Sequence, residues 1–266
     1  MLGGFLRARR ELVRPEEHGL PPGTRRRVPG LRREELALLA GISVEYYIRL
    51  ERGRDTHPSA QVLDALARVL DLDADSRAYL AGLVRTAAPA PARPARRSDR
   101  DVAPEIARLL DGMPRIPALV VDRFLRVLAY NRAAGLLYGG VPGNGEMIRD
   151  AFLNPRAREQ YPDWDEVALE GVASLRASAA GALDDPELTA MVGELSLKSP
   201  DFARLWARHD VRTKTTGHKR LNSPNAGLVE MRWENLSVTS APGQSLLTYF
   251  PVPASQDRVD RLLAGV

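Results

Sequence analysis

The stretch Arg33-Glu-Glu-Leu-Ala-Leu-Leu-Ala-Gly-Ile-Ser-Val-Glu-Tyr-Tyr-Ile-Arg-Leu-Glu-Arg-Gly constrains the fold more than any other part of the chain. Two short helices that cross near a right angle need a small residue where they touch, and Ala37 supplies it. The turn between them needs a residue comfortable at positive φ, and Gly41 supplies that. Leu36, Ala40, Ile42, Tyr47 and Leu50 fall at the spacing that buries one face of both helices. Ser43 stands where the second helix needs an N-cap, and Gly53 ends it. A helix-turn-helix is therefore expected over residues 32–52.

Such a motif lays the solvent-facing start of its second helix in the major groove of DNA. On that placement Val44, Glu45, Ile48 and Arg49 reach base edges. Arg49 suits guanine O6 and N7, Glu45 can accept from cytosine N4, and Val44 can meet a thymine methyl. Arg33, Ser43, Tyr46 and Arg52 lie where side chains touch phosphate. Arg10 has two readings, another phosphate contact or a structural pair with Glu51. Arg25, Arg26 and Arg27, in a loop rich in Pro and Gly over residues 15–30, read as a phosphate or minor-groove arm.

Charge agrees with that placement. Residues 1–100 hold 19 Arg against 13 Asp and Glu, a net +6, while the remainder, with 19 basic and 21 acidic residues, carries a net −2. Positive charge gathered in one half suits a polyanionic partner better than an even spread does.

Helical spacing of apolar residues predicts five helices over 2–86: around Leu2–Leu6, Leu36–Ala40, Tyr47–Leu50, Val62–Leu70 and from Asp73 through Leu83. The run Ala87-Ala-Pro-Ala-Pro-Ala-Arg-Pro-Ala-Arg-Arg-Ser-Asp-Arg reads as an extended linker over 87–103, too extended to carry a packed signal. Beyond it, Ile116–Asp122 and Phe124–Tyr130 look like strands joined at Asp122-Arg123. Asn131 caps a following helix, 164–180 and 186–208 read as amphipathic helices, and 227–236 and 245–252 read as strands. The fold expected is an all-α domain of five helices over 1–86 plus an α+β domain over 104–266.

Cysteine is absent, which excludes disulfides and thiol chemistry, and no apolar run is long enough to cross a membrane. With no leader evident at its start, the chain is expected in the cytoplasm. Its four histidines, at 18, 57, 209 and 218, have no metal-site spacing, and no nucleophile elbow or phosphate-cradling loop is present. Neither a metal nor an enzymatic activity is expected.

Residues 1–86, with Gly19-Leu-Pro, Arg25-Arg-Arg-Val-Pro-Gly-Leu-Arg-Arg-Glu-Glu-Leu-Ala and Tyr46-Tyr-Ile-Arg-Leu-Glu-Arg-Gly, resemble the phage-repressor-like (XRE) helix-turn-helix family. The second half resembles the MmyB-like ligand-binding domain, a PAS-like fold. It carries Pro117-Ala-Leu-Val-Val-Asp, Leu128-Ala-Tyr-Asn, Phe152-Leu-Asn-Pro-Arg-Ala-Arg-Glu-Gln-Tyr-Pro-Asp-Trp and Ser199-Pro-Asp-Phe-Ala-Arg-Leu-Trp-Ala-Arg-His-Asp-Val. Where that family usually has His-Pro before its Gly, this chain reads Ser223-Pro224-Asn225-Ala226-Gly227, which puts any role of that histidine in doubt.

One recognition helix covers few base pairs, so the chain is expected to bind a double-stranded operator as a homodimer; the resemblance implies a fatty acid or another small apolar carboxylate as effector and no other cofactor. Arg123, Asn131, Arg156 and Arg158 are the candidates to hold the carboxylate; for Asn131 a helix cap, and for Arg158 a surface ion pair, are the plainer roles. Two rival readings are a second half that only dimerises or binds a protein, and a DNA-binding module fused to an enzyme. Coupling between the halves is expected to run through dimer geometry.

Overall fold

The computed structural model describes residues 2–21, 30–85, 100–179 and 185–264. Residues 87–99 of the linker expected at 87–103 therefore lie outside the described residues, as do Arg25, Arg26 and Arg27.

The first half holds the five helices expected: α1 (Leu2–Leu12), α2 (Arg33–Ala40), α3 (Val44–Glu51), α4 (Ala60–Val69) and α5 (Ala74–Arg85). A single 3₁₀ turn at Pro15–His18 stands in the stretch expected to be loop. Leu2, Phe5 and Leu6 of α1 pack with Leu36, Ala37, Tyr47, Leu50, Leu66 and Tyr79 in one buried cluster. Side-chain caps start three of these helices. Ser43 Oγ accepts from Tyr46 N, Ser59 Oγ from Val62 N, and Asp73 Oδ1 from Ser76 N, each satisfying a donor that the helix itself cannot.

The second half is built on one antiparallel sheet of five strands in the order β2-β1-β5-β4-β3. The strands are β1 (Ala118–Asp122), β2 (Val127–Tyr130), β3 (Thr216–Ser223), β4 (Gly227–Ser237) and β5 (Gln244–Pro251). Its helices are α6 (Pro104–Asp111), α7 (Arg132–Tyr138), α8 (Met147–Leu153), α9 (Ala157–Gln160), α10 (Trp164–Ser178), α11 (Pro186–Lys198), α12 (Pro200–Ala207) and α13 (Gln256–Leu262). Every residue of β1 is buried. Ala118 and Val120 face a small cluster with Leu110 of α6, while Leu119 and Val121 face the main core. Cover on both faces explains why this strand reads as an unbroken apolar run.

Three expectations about elements are corrected. The second strand starts at Val127 rather than Phe124, because Asp122 Oδ1 accepts from Phe124 N and Arg126 N and Leu125 sits at φ +61°, which lengthens the turn. The helix expected over 186–208 is two helices. Pro200 cannot donate to a continuing helix, and Ser199 Oγ accepts from Phe202 N to start α12 afresh. Strand β3 and helices α6, α8, α9 and α13 were not anticipated. Among the described residues, no helix is long and apolar enough to cross a membrane.

The two halves touch directly: buried residues from α1 to α13 form one contiguous cluster. Contact of this kind was not expected from an extended linker.

Candidate functional site

Two sites stand out, one on the surface of α3 and one inside the sheet domain. Gly41 adopts φ +67° between α2 and α3, as the turn requires, and Ala37 is fully buried at their crossing. Tyr47 and Leu50 are buried beneath α3, while Glu45, Arg49 and Arg52 are exposed. Val44, Tyr46 and Ile48 are half-buried, and the Arg49 guanidinium lies 5.3 Å from the Tyr46 ring centroid. The helix thus presents Glu45 and Arg49 outward, with apolar edges of Val44 and Ile48 beside them.

Beside its apolar packing, a buried charge cluster ties α3 to α1 and α2. Arg10 of α1 donates to Glu51 Oε1 at 2.9 Å and to the Leu31 carbonyl at 2.7 Å. Arg33 of α2 donates to the same carboxylate at 3.0 and 3.1 Å. Burial alone would raise the Glu51 carboxyl, but the hydrogen bonds from Arg10 and Arg33 outweigh it and hold the group below its ordinary value. Of its two readings, Arg10 therefore takes the structural one, since it is buried at 3 % exposure. Arg33 keeps 44 % of its side chain exposed while paired, so one face of it remains open. Gly3 completes the α1–α3 crossing; a Cβ there would lie 2.1 Å from the Glu51 carbonyl oxygen.

The second site is a cavity of about 90 Å³ between the sheet and α8 and α10, walled by Met147, Ile148, Val167, Trp233, Leu247 and Tyr249. Lys219 on β3 reaches into it. Its Nζ donates to Tyr138 Oη at 2.7 Å and Tyr249 Oη at 3.3 Å, and sits 4.6 to 5.5 Å from three tyrosine ring centroids. Burial, and then the charge of Lys214, bring its ammonium down to about 7. Burial pushes the Tyr138, Tyr161 and Tyr249 phenols well up, so all three stay neutral donors. Lys214 also lines the cavity, but Glu170 holds it at 3.3 Å. Among the described residues no carboxylate lies within ion-pair range of Lys219.

None of the four residues expected to anchor a carboxylate lines this cavity. Asn131 caps α7, accepting from Ala134 N at 2.9 Å, and its amide donates to the Met113 and Ile116 carbonyls. Arg158 pairs with Asp201 at 2.8 Å and covers the Trp164 ring. Arg123 pairs with Asp185 at 2.7 Å beside a separate polar cleft, and Arg156 borders another. Ser223, the last residue of β3, accepts from Asn225 N and Ala226 N.

One compositional signal did point to the residues that meet at the cavity. Only three of the 38 basic residues are Lys, at 198, 214 and 219, and two of them are here. An arginine cannot lose its proton in a protein; a lysine can, and this is a reason to use one in a buried place.

Comparison with known proteins follows the same division. A helix-turn-helix domain model matches residues 1–80. The model of the MmyB-like transcription regulator ligand binding domain matches residues 102–263, well over half of the chain. No curated protein matches it. The chain therefore belongs to the family of MmyB-like transcription regulators, with a helix-turn-helix domain ahead of the ligand-binding domain.

Proposed function

We propose that this regulator reads its operator through the major groove with α3, as a homodimer, under control of a small apolar carboxylate bound at Lys219 in a PAS-like domain. The observation that carries the effector half is the cavity itself: its inner surface is mainly apolar, Lys219 donates to phenols, and among the described residues the acids on its lining, Asp163, Glu166 and Glu170, form no ion pair with that ammonium. A ligand carboxylate supplies the missing counter-charge in a place where a charge-assisted hydrogen bond is strong. Arg49 and Glu45 read bases, with Val44 and Ile48 giving apolar contact. Ser43, Tyr46, Arg52 and the open face of Arg33 meet phosphate, joined by Arg25, Arg26 and Arg27. The protein acts in the cytoplasm, where the operator is, and performs no catalysis.

The cavity volume of about 90 Å³ lies below the roughly 300–1,000 Å³ of pockets that enclose drug-sized ligands. Short acids enter it as it stands. A long fatty-acid chain needs Met147 and its neighbours to move aside, and the unbranched methionine has the rotatable bonds for that. Native mass spectrometry of protein purified from cells, followed by calorimetry with acids from hexanoate to tetradecanoate, tests the assignment. Binding of at least one acid, lost in Lys219→Met, is the expected result. A wild-type protein that binds none of them returns the second half to the rival reading, a module that only dimerises.

A further inference from the structure

Several contacts between the two halves gather on one short segment, residues 209–214, between α12 and β3, and Tyr79 of α5 also meets Arg176 of α10 directly. Phe5 of α1 meets the His209 ring edge-on at 6.3 Å between centroids. Gly4 lies under the same ring, where an added Cβ would stand 3.5 Å from Cε1 and Nε2. Arg9 of α1 donates to Asp210 Oδ1 at 3.1 Å. On α5, Asp75 Oδ2 accepts from Thr213 N at 2.8 Å. Beneath the segment lies Arg176 of α10, at 1 % exposure. It donates to the Trp206 and Asp210 carbonyls, and its guanidinium stands 3.9 Å from the Trp206 ring centroid.

The far end of the same segment is a wall of the cavity. Arg212 N donates to the Ala173 carbonyl of α10, and Lys214 Nζ pairs with Glu170 of α10. Lys214 and Glu170 both line the cavity. On the other side, α1 continues the path into α3 through the close Gly3–Glu51 crossing and the Arg10–Glu51 pair.

We infer that residues 209–214 form a strap that reports occupancy of the cavity to the recognition helix, by setting how the DNA-binding half docks on α1 and α5. The inference rests on the reading of the cavity as the effector site. A carboxylate held at Lys219 also draws on Lys214 and competes with Glu170 for it, while Arg212 keeps its own longer contact with Glu170 at 3.6 Å. Once Lys214 turns from α10 to the ligand, the strap shifts, and its other end carries α1, and with it α3. Docking leaves Glu45 and Arg49 exposed, so the strap sets the orientation of α3 and does not mask it. A ligand acts on an equilibrium only through such differential contact between two states. Coupling then runs through the chain's own interior as well as through dimer geometry.

Hydrogen exchange on the full chain tests this and needs no operator sequence. In ligand-free protein, Lys214→Met, which keeps most of the stem but removes the shorter of the strap's two pairs with Glu170, should raise exchange several-fold over residues 2–12. Asp210→Ala should do the same from the other end, with α4 unchanged in both. Decanoate added to the wild type should slow exchange over 161–171 and alter it over 2–12; in Asp210→Ala the first effect stays and the second disappears. Exchange over 2–12 that ignores Lys214→Met overturns the strap, whatever decanoate does. Decanoate that leaves 161–171 unaltered instead counts against the cavity as an acid site, and the ligand-free variants still decide the strap. Far-UV circular dichroism of each variant separates a loosened strap from a lost fold.

Discussion

Proton uptake should accompany binding of an apolar acid. Without ligand, burial and the Lys214 charge hold Lys219 at about 7 against an ordinary 10.5. A carboxylate beside the ammonium favours its charged form, so the complex titrates higher. Below pH 7 the lysine is already charged and affinity is flat. Above it, each unit of pH costs up to tenfold, because the proton must be taken from solvent. Between pH 7 and 9 the free protein goes from about half charged to about one part in a hundred, so affinity should fall roughly 50-fold, or about 2.3 kcal/mol. The sign for stability without ligand is opposite. The folded state binds fewer protons than the unfolded between about 7 and 10.5, so this group's contribution falls as pH drops through that window, reaches its full penalty near 7 and keeps it below. Isothermal calorimetry with decanoate at pH 6.5 to 9, in buffers of differing ionisation enthalpy, counts the protons directly. Lys219→Met should bind weakly, with no pH dependence and no uptake. An affinity that stays flat from pH 7 to 9 in the wild type would refute the pairing of ligand and Lys219.

The helix-turn-helix half makes sharper mutational predictions. Arg49→Ala should cost about 1–3 kcal/mol of operator affinity and relax preference at one base position, in binding titrations against single-base operator variants. Arg10→Ala leaves the buried Glu51 carboxylate with Arg33 alone, and should lower stability by about 3–5 kcal/mol in urea unfolding, far more than Arg33→Ala does. Gly3→Ala drives a Cβ into the Glu51 carbonyl; parting α1 from α3 should cost about 1–3 kcal/mol and weaken DNA binding with it.

The parts of this molecule legible in the sequence are those fixed by local chemistry. Gly41, Ser43 and Ala37 each answer a local need of a turn, a cap or a crossing, and the structure places each where that need lies. Asn131 was legible as a cap for the same reason. The strands were harder. β1 is a run of apolar residues because two layers cover it, but β3, Thr216-Gly-His-Lys-Arg-Leu-Asn-Ser, is polar along most of its length. It forms by pairing with β4 over its whole span across the turn at Pro224–Ala226, and its own polar residues give no alternating pattern to read. The cavity was harder still. Lys219, Tyr138, Tyr161 and Tyr249 are far apart in sequence and meet only once β3, β5 and the α7–α9 region are in place. Arg123 and Arg158 pair with nearby acids, and Arg123 and Arg156 border other clefts, the ordinary fate of a surface cation. Contact between the halves was hidden by the same logic, since His209 reads as a helix terminus until Phe5 is seen beside it.

The central claim is that one chain couples an apolar acid to a DNA sequence. Selecting duplexes from a random pool with the full chain, then titrating the selected duplex with and without saturating decanoate, measures that coupling directly. The account predicts a sequence-specific duplex with two related half-sites about one helical turn apart, and an affinity that changes at least about fivefold with the acid. A pool that yields no preferred sequence, or an affinity for the selected duplex that is equal with and without bound acid, would contradict it.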